Sequence, residues 1–304
     1  MTSSFQSSLR FDDQVAIITG AGRGLGREYA LLLADRGALV VVNDLDESSE
    51  GGEKVGPADD VVREIVERGG RAVAHSASVA TPEGAASIVE AAVAAFGGVD
   101  ILINNAGFNV HASFAQVAIQ DYQHALDIHF LGTVQVTSAA WKELCKRNGR
   151  IVNTISEGML GSPAVITYGS AKGAVFGFSL NLALEAAPLG VRVNSIAPRA
   201  FTRLSEDSLG PSAFGLPKEA IEQFRSAMPA RMVAPVVAFL AHASCQLNGE
   251  VLCTGGGHVS RLVMVESRGY SDSNLTPEDV SAHLTEILDM NDIIVRDASW
   301  SPSF

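Results

Sequence analysis

The stretch VAIITGAGRGLGREYALLLADRG (15–37) restricts the fold more than any other part of the chain. VAIIT (15–19) is an unbroken apolar run flanked by Asp12, Asp13 and Gly20, the pattern of a strand buried on both faces. REYALLLADRG (27–37) has helical apolar spacing and stops at a glycine. Only a glycine-rich turn separates the two. A strand buried on both sides needs helices above and below it, and a strand that runs straight into a helix opens a β-α-β unit.

The alternation continues along the chain. Strands are expected at ALVVVND (38–44), RAVAHSA (71–77), VDILINN (99–105), RIVNTIS (150–156), VRVNSIA (191–197) and GEVLCTGG (249–256). Helical patterns such as GAASIVEAAVAAF (84–96) and AKGAVFGFSLNLALEAA (171–187) fall between them. Strand–helix alternation of this kind predicts an α/β protein: a single Rossmann-like, doubly wound domain with a mainly parallel sheet and helices on both faces. We place that domain at 10–262, after a disordered arm (1–9) and before a C-terminal extension (263–304). Within the domain, 44–60 is a long polar loop and 203–231, broken by Gly and Pro, is a substrate-lid insertion. In the extension, TPEDVSAHLTEIL (276–288) predicts one amphipathic helix with Thr276 as N-cap, Pro277 at N1 and Asp279 at N3. Its apolar face, Val280, Leu284, Ile287 and Leu288, needs something to pack against.

A net charge of −12 argues against a nucleic-acid or anionic-membrane surface. MTSSFQSSLRF lacks the basic and apolar regions of a secretory signal, and MVAPVVAFLA (232–241) is too short to span a bilayer. The three cysteines form no CxxC pair, so reduced thiols, no metal site and a cytoplasmic location are expected.

The chemistry-bearing residues start in the turn. TGAGRGLG (19–26) places Gly20, Gly24 and Gly26 in a G-x3-G-x-G pattern between strand and helix. Such a turn lets the backbone approach a pyrophosphate, and the helix N-terminus adds N–H groups and a positive dipole end. An ordinary strand-to-helix turn is the plainer alternative. Asp44 ends the second strand, where a carboxylate accepts both hydroxyls of an adenosine ribose and repels a 2′-phosphate. That favours NAD over NADP, although Arg23 inside the turn is a candidate for such a phosphate. Further on, Tyr168 and Lys172 are four residues apart, so phenol and ammonium share a helix face. Taking a hydroxyl proton near neutral pH requires a phenol of lowered pKa. A neighbouring ammonium and the charge of an oxidised nicotinamide both act in that direction. Ser156 and Ser162 both precede Tyr168 as possible hydroxyl partners.

Together with NNAG (104–107), these motifs make the chain resemble the short-chain dehydrogenase/reductase family over about residues 10–260. GALVVVNDL (37–45), HFLGTVQVTSAAW (129–141), APRAFTRL (197–204) and VAPVVAFLAHASCQLNGEV (233–251) resemble, more narrowly, its multifunctional-enzyme type 2 branch. That branch oxidises (3R)-hydroxyacyl-CoA and includes a 17β-hydroxysteroid dehydrogenase. No hydratase or sterol-carrier region and no peroxisomal signal follows here, so a stand-alone bacterial relative is expected.

The resemblance implies that Leu25 and the loop glycines hold the pyrophosphate, Asp44 the ribose, and Ser78 and Val79 the adenine edge. Asn105, Ala106 and Gly107 would line the nicotinamide side, and Lys172 would hold the nicotinamide ribose. Ser156 takes the catalytic serine's place when aligned from GRIV (149–152). Counted back from Tyr168, however, the family's usual spacing of 13 falls on Ile155, so Ser156 fits only if the loop is one residue short. His129 stands where many members have a proton-relaying asparagine and is expected to be a variant relay or a core histidine. Pro198-Arg199 replaces the usual Pro-Gly. Arg199, Arg203, Lys218, Arg225 and Arg231 are candidates to meet the phosphates of a CoA thioester. The implied activity is NAD-dependent oxidation of a secondary alcohol, a (3R)-hydroxyacyl-CoA or a steroid-related hydroxyl, by a homodimer or homotetramer. A general alcohol or carbonyl reductase and a non-catalytic NAD-binding regulator are the alternatives.

Overall fold

Successive residues of β1 (Val15–Thr19) divide between two cores. Ala16 and Ile18 face one side of the sheet, with Val40 and Val42 of β2 (Leu39–Asn43) and Ile101 and Ile103 of β4 (Ile101–Asn104). Val15, Ile17, Leu39, Val41 and Leu102 face the other. This is the alternation of a pleated strand with both faces covered, and it explains why the runs read as continuously apolar. Burying one such side chain fully is worth about 1.5–3 kcal/mol, so each face holds its own helices firmly.

These features come from a computed structural model that describes residues 8–45, 56–203, 205 and 217–296. Most of the N-terminal arm, the middle of the 44–60 loop, residues 204 and 206–216 of the insertion, and the last eight residues lie outside the described residues.

The first core is closed by α1 (Gly24–Asp35) and α2 (Pro57–Glu67), and by α8 (Ala234–Ala241), described with its neighbours below. The second is closed by α3 (Pro82–Phe96), α5 (Gly132–Lys146) and α6 (Ile166–Ala186). Local sequence sets their ends. Thr81 caps α3 by accepting from the Gly84 N–H at 3.1 Å, Pro82 opens it, and Gly97 closes it in the left-handed region.

Sheet order is β3-β2-β1-β4-β5-β6-β7-β8, with β3 (Arg71–His75), β5 (Arg150–Thr154), β6 (Arg192–Pro198), β7 (Val251–Gly255) and β8 (His258–Leu262). All pairings are parallel except β7–β8, which is antiparallel. The expected Rossmann-like class is the observed one. Winding reverses between β1 and β4, and beyond the carboxyl ends of those strands lies the crevice where such sheets bind ligands.

Two features position the site. Between α4 (Ile119–Ala125) and α5, residues Leu126–Leu131 form a π-helical turn that carries His129. Between β5 and α6, a 3-10 turn (Glu157–Leu160) follows Ser156. Before α8, the chain forms α7 (Lys218–Ala227), part of the expected insertion.

The extension departs from expectation. Thr276 does cap through a reciprocal bond with Asp279, but the predicted single helix is split at His283 into α9 (Pro277–Ala282) and α10 (Leu284–Ile287). The His283 ring stacks on Tyr270 at the break, with centroids 3.7 Å apart. Val280, Leu284 and Leu288 stay exposed. β9 (Met264–Ser267) and β10 (Ile293–Arg296) pair antiparallel, a small sheet with no counterpart in the sequence reading. Among the described residues no helix is long and apolar enough to cross a membrane.

Candidate active site

The glycine turn and NNAG are locked together. Gly20 has φ +62°, and a Cβ on it would stand 2.7 Å from Ala106 Cα, so only glycine fits both the backbone and the space. Thr19 Oγ1 accepts from the Asn105 and Ala106 N–H groups at 3.0 and 3.1 Å. The Asn105 side-chain amide donates to the Thr19 and Gly20 carbonyls at 3.0 and 2.9 Å. Asn105 therefore braces the turn with its side chain. Gly26 sits so close beneath that a Cβ would lie 2.2 Å from the Gly20 carbonyl oxygen. Leu25 is half-buried against the first core.

Asp44 leans across the same turn. One carboxylate oxygen accepts from the Gly22 N–H at 2.8 Å, and the other from Leu45 at 2.9 Å. Partial burial raises its pKa, while those two N–H groups and the charges of Arg23 and Arg203 pull it down. Ser78 accepts from the Ala80 N–H at 3.1 Å, and Val79 is buried against Gly132. The N-cap residue of α1, Arg23, makes no side-chain capping bond. A helix start behind a turn of tightly packed glycines offers N–H donors suited to a pyrophosphate, with the Asp44 carboxylate beside it suited to ribose hydroxyls. Thr202 was not singled out from the sequence. Its methyl lies 3.6 Å from the position a Gly24 Cβ would take, over the same turn.

Tyr168 and Lys172 come together on α6 as their spacing predicts. The ammonium nitrogen of Lys172 lies 5.7 Å from the Tyr168 ring centroid and donates to the Thr154 carbonyl at 2.7 Å. Lys172 is buried, and desolvation pushes its pKa down to about 7. The expected lowering of the Tyr168 pKa is not what the chain itself produces. Burial raises it, and a hydrogen bond with Ser156 opposes that rise.

The two serines differ in placement. Ser156 Oγ and the Tyr168 ring stand 3.3 and 3.7 Å from the position a Gly158 Cβ would take, and Ser156 accepts from the Gly158 N–H at 3.1 Å, while Ser162 is exposed on the far part of the loop. Ile155 at the usual spacing is fully buried, and its N–H donates to the Ile196 carbonyl at 2.9 Å. The short loop thus carries Ser156 to the phenol. Gly169 makes this possible: a Cβ there would lie 2.6 Å from the Gly158 carbonyl oxygen, so the 3-10 turn rests directly on α6.

His129 is buried and meets Tyr168 edge-on. Its Nε2 lies 2.8 Å from the Phe108 carbonyl, which assigns that nitrogen as the donor and leaves Nδ1 as a buried acceptor with no partner among the described residues. Burial and the Lys172 charge push its pKa down to about 3. A neutral ring with one donating and one accepting nitrogen is compatible with either expected role, variant relay or core histidine. Gly107 makes room for it, since a Cβ there would lie 2.4 Å from His129 Cε1.

Among the described residues, the candidate side chains of Arg199, Arg225 and Arg203 have separate partners. Arg199 makes a two-pronged pair with Glu157, with both contacts at 2.6 Å. Arg225 pairs with Glu222 and stacks over Phe201, and Arg203 acts on Asp44. Lys218 and Arg231 lie at the start of α7 and beyond its end.

A family model described as short chain dehydrogenase matches residues 14–207. A short-chain type dehydrogenase/reductase of Mycobacterium tuberculosis is 39% identical over 283 residues, covering 92% of this chain and 95% of that protein. The peroxisomal multifunctional enzyme type 2 of Drosophila melanogaster is 40% identical over 270 residues, 88% of this chain but only 43% of the fly protein. Against that enzyme, the chain spans less than half the length. The crystal structure of a short chain dehydrogenase from Mycobacterium avium superposes with a TM-score of 0.77 at 31% identity, covering 91% of this chain and 95% of that one.

Proposed function

The chain belongs to the short-chain dehydrogenase family, and from that premise we propose that it oxidises a secondary alcohol with NAD, on a (3R)-hydroxyacyl-CoA or a steroid-related hydroxyl. That it is an oxidoreductase of CH–OH groups using a nicotinamide cofactor follows from the family. The choice of NAD and of substrate is our reading. It is supported by Asp44 at the end of β2 and by the likeness to the multifunctional enzyme.

When bound, NAD supplies the hydride acceptor and a positive charge near the phenol. The residues of the chain do the rest. The glycine turn with Leu25 and the N–H groups of α1 would receive the pyrophosphate. Asp44 would accept from the adenosine ribose, and a 2′-phosphate there would meet its negative charge. Ser78 and Val79 would border the adenine, Ala106 and Gly107 the nicotinamide, and Lys172 would reach the ribose hydroxyls beside it.

Tyr168 is the group that takes the carbinol proton. Burial alone holds the phenol protonated, so phenolate formation depends on neighbouring positive charge. Lys172, with a pKa near 7, is about half ammonium at neutral pH and provides part of that charge. Ser156 donates to the substrate oxygen as negative charge develops there, which is how a fixed hydroxyl lowers a barrier.

The single observation that carries this reading is the placement of Ser156 Oγ beside the Tyr168 ring, both flanking Gly158, with Lys172 buried one turn away and its ammonium 5.7 Å from the ring centroid. The test is a panel of (3R)-hydroxyacyl-CoA, hydroxysteroid and simple secondary alcohols, followed at the nicotinamide absorbance. Reduction of NAD is expected, fastest with the acyl-CoA or the steroid. No turnover on any of the three classes would sink the proposal.

A further inference from the structure

Ser156 is suspended between two ties to the same strand. The residue before it, Ile155, donates its N–H to Ile196 of β6 at 2.9 Å. The residue after it, Glu157, accepts two N–H groups from Arg199 at 2.6 Å each, just beyond the end of β6. Arg199 is fixed in turn. Its own N–H donates to the Thr254 carbonyl at 2.7 Å, and its carbonyl oxygen lies 2.1 Å from where a Gly255 Cβ would stand.

We propose that the Arg199–Glu157 pair is a positioning device for Ser156, holding its hydroxyl beside the Tyr168 ring. The proposal rests on the role assigned to Ser156 above. Ser156 starts a 3-10 turn, and a turn of that kind is loosely held by its own hydrogen bonds. A second anchor on Glu157 removes the rotation that would swing Ser156 away from the phenol. The guanidinium fork fixes orientation as well as distance, which a single ammonium contact does not. Both side chains are about two-fifths exposed (42% and 38%), so the pair acts through geometry and adds little stability. Glycine, the usual family residue at position 199, would leave Glu157 without this partner.

The experiment uses Arg199→Ala, Arg199→Lys and Glu157→Gln, each alone and combined with Ser156→Ala. The first readout needs no turnover: the protein is labelled with carbon-13 at Cζ of its four tyrosines, and Tyr168 is assigned with Tyr168→Phe. Arg199→Ala is expected to move the Tyr168 resonance in the same direction as Ser156→Ala, with Tyr29, Tyr122 and Tyr270 unmoved. The second readout is alcohol oxidation. Arg199→Ala should lower kcat about ten-fold with KM changed less than about two-fold, as expected for a misplaced catalytic group. In the Ser156→Ala background the same change should cost less than about two-fold, because the pair acts through Ser156. Arg199→Lys should recover only part of the loss.

An unmoved Tyr168 resonance, or an undiminished kcat loss in the Ser156→Ala background, overturns the positioning role. A wild type that oxidises no alcohol while the Tyr168 resonance still moves overturns the proposed function and leaves the positioning role standing.

Discussion

The His129 ring stands edge-on to the Tyr168 ring, with centroids 5.2 Å apart and planes at 85°. Its Nε2–H donates to the Phe108 carbonyl and burial keeps the ring uncharged, so His129 walls in the phenol as a neutral imidazole.

A pH dependence follows. The native pKa of His129, about 3, lies below its ordinary 6.5, so between those values the unfolded chain binds a proton that the folded chain refuses. The stability involved is complete above 6.5 and is lost as pH falls toward 3. By about pH 4 the loss is on the order of 3 kcal/mol. Urea unfolding of wild type and His129→Asn at about pH 7 and 4 should show the wild type losing more stability by roughly that amount. Parallel losses would mean that the ring titrates normally.

Tyr168→Phe should lower kcat by about 10²–10⁴ or more while NAD binding, followed by fluorescence or calorimetry, stays within a few-fold. Removing the hydroxyl deletes the proton acceptor and leaves the ring packed on His129. A rate within a few-fold of wild type would assign the base elsewhere.

Ser156→Ala should cost about 10²–10³ in kcat, and Ser162→Ala less than about two-fold. The two serines differ in placement: Ser156 flanks Gly158 together with the Tyr168 ring, and Ser162 is exposed. A larger loss at Ser162 reverses the assignment.

Asp44→Ala should weaken NAD binding and narrow, or invert, the preference for NAD over NADP. Because Asp44 also accepts from the Gly22 N–H, affinity for both cofactors should drop. The ratio of the two Kd values is therefore the measurement that matters, and an unchanged ratio would remove Asp44 as the discriminating group.

Gly20→Ala should destabilise the fold by about 1–3 kcal/mol, from a positive φ and a Cβ pressed on Ala106. Thermal or urea unfolding would register it, and a neutral effect would mean that turn and NNAG are less tightly apposed than described.

The layered sheet was legible because its strands are buried on both faces, so apolar runs such as VAIIT and LVVVN stand out against any neighbour. β8, β9 and β10 were not. HVSRL and MVES mix exposed polar and apolar residues, and their pairing depends on where the chain returns rather than on composition. At the break, His283 stacks on Tyr270, thirteen residues earlier, a contact no helical pattern records. Within the site, the Tyr168–Lys172 spacing translates directly into a shared helix face. The fit of Ser156 does not, because it depends on Gly169 admitting the 3-10 turn and on Arg199 reaching back to Glu157. The upward push of burial on the Tyr168 pKa was not legible for a related reason: spacing reports a neighbour's charge, but not how much water the fold has removed from around the phenol.

The bare Cα of Gly107 has a consequence for how this site changes over generations. With the imidazole of His129 filling the space, any side chain at 107 collides, whereas a smaller residue at 129 opens that space first. Substitutions at the two positions are therefore accessible in one order only, 129 before 107. A library that varies position 107 alone samples only dead ends, while one that shrinks 129 first can go on to diversify 107.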